Sequence, residues 1–209
     1  MKAVRFTLMC ILIECLLIVS IALANTFGLP WFYLFYTVIY GLVLSTFLPI
    51  WISAKEGFSL SAFGVHAMRV RDVIIVLLFI ALSVGGQLIL LHINSVPIRY
   101  DLLPICIFPL ILTTFFEELL FRGVMQTRFQ KYFGTIPAIL LSGLAFSVYH
   151  LGYPGFRTVS DTLLLWAVGI GFALSFRLTG NNAVASFLVN LPNAFATYIL
   201  KHSQFPVYA

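Results

Sequence analysis

Charged residues are scarce in this chain. Only 9% of its 209 residues are Asp, Glu, Lys or Arg, whereas 61% are hydrophobic and the mean hydropathy is +1.05. A soluble domain carries about 25% charged residues, so this composition cannot form a surface that faces water. Lipid must therefore be the solvent for most of the chain. At roughly 20 residues for each membrane span, no room remains for a soluble domain.

Cysteine is scarce as well, and its placement excludes two classes of small scaffold. Cys10, Cys15 and Cys106 all lie in apolar segments, and the first two do not share a helix face. Three scattered cysteines make neither a disulfide framework nor a zinc site. The chain also lacks a basic run with interleaved aromatic residues, so we assign no nucleic-acid partner.

Long apolar runs fill the chain and predict an all-α fold, a polytopic transmembrane helical bundle of about seven spans. The first run is expected to be retained rather than cleaved as a signal peptide, because it is long and Glu14 interrupts it. The predicted spans are 4–24, 32–53, 72–92, 102–125, 135–151, 161–177 and 182–200.

The basic residues at the ends of these spans predict an orientation. Eight of them fall on one set of ends and three on the other, and cytoplasmic ends carry the excess. The N-terminus is therefore expected in the cytoplasm, and a bacterial plasma membrane is the expected location. The first set is Lys2, Arg5, Lys55, Arg69, Arg71, Arg128, Lys131 and Arg177, and the second is Arg99, Arg157 and Lys201.

Two adjacent glutamates fall within the fourth predicted span. The apolar run before them reaches from Leu102 to Phe116 and rises only about 22 Å as a helix, which is short of a ~30 Å hydrocarbon core. The helix must continue, so Glu117 and Glu118 both lie in the membrane, where ionisable groups are costly and usually functional.

Helical spacing assigns the two glutamates different partners. Glu118 and Arg122 stand at i and i+4, with the acid first, which favours an ion pair. Glu117 lies about 100° further round the helix and has no local partner. We therefore interpret Glu118 and Arg122 as a structural pair and Glu117 as a candidate general base.

His150 is the candidate partner of Glu117. The two residues stand 16 and 17 positions from Gly134, where the fourth and fifth spans turn, so an antiparallel hairpin brings them to one depth. A glutamate and a histidine at one depth can share a water molecule and pass its proton. Phe146 lies one turn before His150 and could form a wall of the same site.

The last predicted span contains two asparagines beside a proline. Asn193 lies well inside the membrane, and its amide needs hydrogen-bond partners there. It could make an interhelical hydrogen bond or stabilise an oxyanion; the residues alone leave both open. Pro192 frees a backbone carbonyl nearby.

Glu14 in the first span could face a cavity or pair with a basic residue of another helix.

Together these motifs resemble the CPBP intramembrane proteases, the family of the type II CAAX prenyl endopeptidases and of bacteriocin-processing and self-immunity proteins. The resemblance rests on E-E-x-x-x-R at Glu117, Glu118 and Arg122, and on F-x-x-x-H at Phe146 and His150. It divides the chain into residues 1–100, transmembrane helices without family signal, and residues 101–209, a protease-like core.

The resemblance implies roles for these residues. Glu117 would activate a water molecule and His150 would assist it, with Glu118, Arg122 and Phe146 as structural partners. No metal or other cofactor is expected. Zinc is the less favoured option, because one histidine and adjacent acids fall short of a three-ligand site. The implied substrate is a peptide or lipidated protein in the membrane.

One position departs from the family pattern. The third motif is usually H-x-x-x-N after a T-G turn, and here Asn193 fits the asparagine but Val189 stands at the histidine. Asn190 is a candidate structural partner of the site and a candidate substitute donor, although it points about 100° away from Val189. Losing one oxyanion donor can cost about 10²–10³ in rate. The sequence therefore also allows a catalytically impaired immunity or regulatory protein that binds a peptide. A proton-coupled transporter is a third and weaker interpretation, because the sequence shows no paired repeats.

Overall fold

The computed structural model describes residues 2–27, 31, 33–55, 57, 59–93, 103–153 and 158–202. Arg99 and Arg157, counted above for the orientation, lie outside the described residues, as do the side chains of Cys106 and Lys201.

Helices contain almost all of the described residues, and none of these residues forms a strand. This confirms the predicted all-α bundle. A backbone surrounded by lipid must satisfy its own hydrogen bonds, which a helix does within one segment. In chain order the helices are α1 (Lys2–Thr26), π1 (Tyr33–Phe47), α2 (Leu48–Lys55), α3 (Val70–Ile93), α4 (Leu103–Glu118), π2 (Leu119–Gln126), α5 (Thr127–Phe133), α6 (Thr135–Val148), α7 (Val159–Leu178) and α8 (Ala183–His202), with 3₁₀ turns at Leu60–Phe63 and Tyr149–Gly152.

Five of these segments are each long and apolar enough to cross a membrane. The segment α4–π2–α5 is continuous but carries the two glutamates and Arg122, and α8 has a shorter apolar stretch over Ala183–Thr197. These two segments correspond to the two remaining predicted spans, and they hold both adjacent glutamates, Arg122 and the two asparagines beside Pro192. The five candidate spans are Lys2–Thr26, Leu34–Trp51, Val70–Ile89, Thr135–Gly152 and Val159–Leu178.

Polarity in the bundle is inverted relative to a soluble protein. Arg122, Gln126 and Ser142 are fully buried, whereas Leu77 and Leu82 on α3 are more than half exposed. An outer surface that consists largely of big apolar side chains, with charged groups inside, suits a solvent that is itself apolar. The burial pattern thus agrees with an integral membrane protein.

Helices α6 and α7 approach each other closely at two glycines. A Cβ atom on Gly143 would lie 2.9 Å from the backbone nitrogen of Ile170, and one on Gly169 would lie 2.7 Å from the carbonyl oxygen of Gly143. Small residues allow such contacts between membrane helices. The close packing fixes α6, which carries Phe146 and leads into the turn with His150.

The turn at Gly134 joins α5 to α6 as predicted. Its φ of +87° lies in the region that favours glycine. Ser142 on α6 donates a hydrogen bond to the carbonyl oxygen of Phe121 on π2 at 2.9 Å. The predicted antiparallel hairpin is therefore present.

Helix termini that carry the larger set of basic residues lie together at one end of the bundle. Phe6 at the start of α1 packs edge-on against Phe129 of α5 at 5.5 Å, and Asn181 after α7 donates to Gln130 of α5 at 3.0 Å. Arg71 at the start of α3 donates to the carbonyl oxygen of Leu178 at 2.8 Å.

Candidate active site

A fully buried ion pair forms the centre of the candidate site. Nε of Arg122 lies 3.3 Å from Oε2 of Glu118, one helical turn away, as the i, i+4 spacing predicted. The guanidinium also donates through Nη1 to Ser142 and lies over the ring of Phe146 at 5.4 Å. A buried charge pair needs such further contacts to offset its desolvation.

Helix α8 supplies two more donors to Glu118. Nδ2 of Asn190 donates to Oε1 at 2.8 Å, and the Ser186 hydroxyl donates to Oε2. Both carboxylate oxygens of Glu118 are therefore occupied. A carboxylate whose two oxygens both accept hydrogen bonds is held in place.

Glu117 has contacts of a different kind. Its Oε1 accepts a hydrogen bond from the Tyr40 hydroxyl of π1 at 2.9 Å, and Nδ2 of Asn190 lies at 3.5 Å from Oε2. The Tyr149 side chain lies close enough to Glu117 to act on its carboxylate, and it stacks on Tyr40 at 5.9 Å. These partners are neutral, so they orient the carboxylate without cancelling its charge.

Asn190 thus contacts both glutamates. The sequence placed it about 100° away from Val189, the position of the missing histidine, and in the structure it faces α4 together with Ser186. Helix α8 continues through Pro192.

His150 lies in the 3₁₀ turn Tyr149–Gly152 that follows α6. Its Nδ1 is 2.7 Å from the carbonyl oxygen of Phe146, and its ring packs against Phe146 at 4.9 Å and Tyr149 at 4.1 Å. Because Tyr149 also contacts Glu117, it links the two candidate catalytic residues. Phe146 packs against the His150 ring on one side and lies under the guanidinium of Arg122.

Asn193 has a partner on a different helix from Asn190. Its Oδ1 accepts a hydrogen bond from Nε2 of Gln87 on α3 at 2.5 Å, and the residue is buried. Gln87 also donates to Thr197, one turn further along α8, at 3.2 Å. An interhelical bond, one of the two alternatives for this amide, is therefore present. This bond orients the amide, and the amide nitrogen remains a candidate donor to an oxyanion.

Val189 is fully buried in the apolar core, among residues that include Tyr40, Tyr149 and Phe172. This position therefore offers no polar group to the site.

Glu14 is buried in α1, and neither of its carboxylate oxygens has a hydrogen-bond partner within the described part of the chain. Helix α1 packs against π1 and the Tyr149–Gly152 turn, and among the described residues no hydrogen bond joins the Glu14 carboxylate to the glutamates of α4.

Several contributors to the site were missed from the sequence. Tyr40 and Gln87 lie in the first half of the chain and belong to no motif, and Ser142 and Ser186 are ordinary helix residues by pattern. Tyr149 directly precedes His150, and this adjacency is the one signal that could have marked it. Among the described residues, no three His, Cys, Asp or Glu side chains come together as potential metal ligands.

Comparison with known families agrees with this geometry. The family model for Rce1-like type II CAAX prenyl endopeptidases matches residues 99–195, which agrees with the resemblance drawn from the motifs. The match covers Glu117 to Asn193 and leaves out Tyr40 and Gln87. No curated protein and no solved structure matches the chain.

Proposed function

We propose that this protein is an intramembrane endopeptidase in which Glu117 activates a water molecule for attack on a peptide bond. The contrast between the two glutamates carries the proposal. Arg122 neutralises Glu118, whereas Tyr40 and Asn190 only orient Glu117. A buried carboxylate held by neutral donors retains the ability to take up a proton.

In the proposed reaction, one proton moves from water to Glu117 and then to the leaving nitrogen. Glu117 removes a proton from water as the oxygen bonds to the carbonyl carbon of the substrate, and a tetrahedral intermediate forms. The proton then passes to the leaving nitrogen as the carbon–nitrogen bond breaks, which yields a carboxylic acid and an amine. His150, held by Phe146 and Tyr149, is suited to orient the water or to relay the proton.

The negative charge on the carbonyl oxygen requires a donor in place of the one lost at Val189. The bond from Gln87 occupies Oδ1 of Asn193 and thereby directs its Nδ2 elsewhere. We assign this amide to the oxyanion, since a preoriented donor contributes most where it costs no rearrangement. Asn190 already donates to Glu118 at 2.8 Å and serves to position the glutamates.

The substrate class follows from the surroundings of the site. The catalytic groups lie within a bundle whose outer surface is apolar, so a substrate reaches them from the lipid. A membrane-associated peptide or a lipid-modified protein meets that requirement. The resident membrane is proposed to be a bacterial plasma membrane, with the N-terminus in the cytoplasm.

A second candidate function is favoured by one observation. Val189 is fully buried in the apolar core, so the histidine typical of the third motif is replaced by a packing residue. A catalytically impaired immunity or regulatory protein that binds a peptide would have this property.

The test compares wild type, Glu117→Gln and Glu14→Gln at matched abundance in the membrane. Glu14→Gln is the control, because it also removes a buried carboxylate from a membrane helix. Mass spectrometry of new peptide termini is expected to find products in wild type and Glu14→Gln that disappear in Glu117→Gln. If the three samples give the same termini and the cellular phenotype survives Glu117→Gln, the binding function replaces the peptidase.

A further inference from the structure

A basic groove lies at the end of the bundle where α3 begins and α7 ends. Its volume is about 660 Å³, and it is lined on one side by residues from 66 to 72 and on the other by residues 177–180. It shares no lining residue with the candidate active site.

The charges that face this groove are predominantly positive. Arg69, Arg71 and Arg177 line it together with a single acid, Asp72. Asp72 is buried, and its carboxylate already accepts a hydrogen bond from the backbone nitrogen of Arg69 at 2.9 Å, where α3 starts. An acid that is used to cap a helix contributes little to the recognition of a ligand in the groove.

Two of the arginines retain their full donor capacity. Within the part of the chain that the structure describes, no hydrogen bond or ion pair engages the guanidinium groups of Arg69 and Arg177, and both residues are exposed. Arg71 donates one Nη2 bond to Leu178, which leaves further N–H groups because a guanidinium has five.

The ends of two membrane spans indicate how deep the groove lies in the membrane. The candidate spans Val70–Ile89 and Val159–Leu178 have one end each at the groove. It therefore lies where the hydrocarbon region meets the lipid headgroups. Two apolar side chains next to it, Val70 and Leu178, are 80% and 44% exposed. Basic side chains with an apolar rim match the two parts of a phospholipid.

We propose that this groove binds the phosphate headgroup of an anionic phospholipid, with Arg69 and Arg177 on the phosphate oxygens and the acyl chains along Val70 and Leu178. Guanidinium groups match phosphate geometry through paired N–H donors. Basic pockets between membrane helices are common sites for anionic headgroups. The binding holds α3 and α7 at a shared lipid and does not depend on the peptidase reaction.

The test measures lipid binding to the full chain in a mild detergent. Native mass spectrometry follows the retention of phosphatidylglycerol and of phosphatidylcholine by wild type, by Arg69→Gln/Arg177→Gln and by Lys2→Gln/Arg5→Gln. The control pair also removes two positive charges and lies at the same end of the bundle, since Phe6 contacts Phe129, but it lies outside the groove.

Wild type and the control are expected to prefer phosphatidylglycerol. The groove variant is expected to bind it roughly 10- to 30-fold more weakly, because each replaced arginine removes one charged contact with the headgroup. Binding of phosphatidylcholine should be the same in all three. A charge-preserving Arg69→Lys/Arg177→Lys variant should lose less of the preference than the Gln variant, because it keeps the charge and loses only the paired N–H donors.

Three results would overturn the proposal. The first is that the wild-type protein does not prefer phosphatidylglycerol over phosphatidylcholine. This measurement does not depend on the folding of any variant. The second is equal loss in the groove and control variants, which would reflect net charge alone. The third is displacement of the lipid by inorganic phosphate at equal concentration, because the groove would then be a site for a free anion.

Discussion

The Tyr40 hydroxyl donates a hydrogen bond of 2.9 Å to Oε1 of Glu117 across a sequence separation of 77 residues. It connects the N-terminal half of the chain to the candidate base, and Tyr40 is itself fully buried. A donor in this position holds one oxygen of the carboxylate and leaves the other toward Asn190 and the substrate.

Replacing Tyr40 by phenylalanine should lower the cleavage rate by about 10- to 100-fold, the equivalent of one hydrogen bond to a charged group. The rate is measured on the peptide identified by the Glu117→Gln comparison. Tyr36→Phe is the control, because Tyr36 stacks on Tyr40 at 5.1 Å but its hydroxyl bonds to Tyr153. Equal losses in the two variants would mean that loss of any hydroxyl from this tyrosine cluster, rather than loss of the bond to Glu117, lowers the rate.

Replacing Arg122 by methionine should destabilise the bundle by about 3–5 kcal/mol, because Glu118 would remain as a buried charge without its counterion. Unfolding by sodium dodecyl sulfate, followed by tryptophan fluorescence, measures the free energy. The double variant Arg122→Met/Glu118→Gln should recover much of the loss. A double variant as unstable as the single one would contradict the ion-pair account.

Replacing Gly143 by alanine should cost about 1–3 kcal/mol, because the added methyl group would lie 2.9 Å from the backbone nitrogen of Ile170. Gly171→Ala on α7 is the matched control, since nothing lies within 4 Å of its added Cβ atom. That variant should be neutral or slightly stabilising through helix propensity. The same unfolding assay compares them, and equal effects would argue against close packing of α6 on α7 at this point.

Chelation of divalent metals should leave cleavage unchanged if Glu117 activates water without an ion. Membranes are treated with millimolar EDTA or 1,10-phenanthroline before the rate is measured, and zinc is then added back. A loss of activity that zinc restores would mean that a metal takes part in the reaction, and the role of Glu117 would change from base to ligand.

The parts of the site that could be predicted from the sequence are local in the chain. Glu118 and Arg122 pair because they are one helical turn apart, and the Gly134 turn brings α5 and α6 together because a glycine and a short loop force an antiparallel return. Periodicity and loop length determine such contacts.

The contacts that escaped prediction depend on the register between distant helices. Asn190 and Asn193 differ by less than one turn, yet one bonds to Glu118 and the other to Gln87. Which asparagine faces α4 depends on the rotation of α8, which its neighbours set through packing. Tyr40 escaped for the same reason, since π1 carries no motif and its winding differs from that of an α-helix.

The bond from Tyr40 means that the family-matching segment is not a self-sufficient module. A chimera that grafted residues 99–195 onto unrelated membrane helices would inherit Glu117, His150 and both asparagines, yet it would lack the phenol that donates to Glu117. Transplanting the reaction would therefore require a compensating hydroxyl on whatever helix the new host presents at that place.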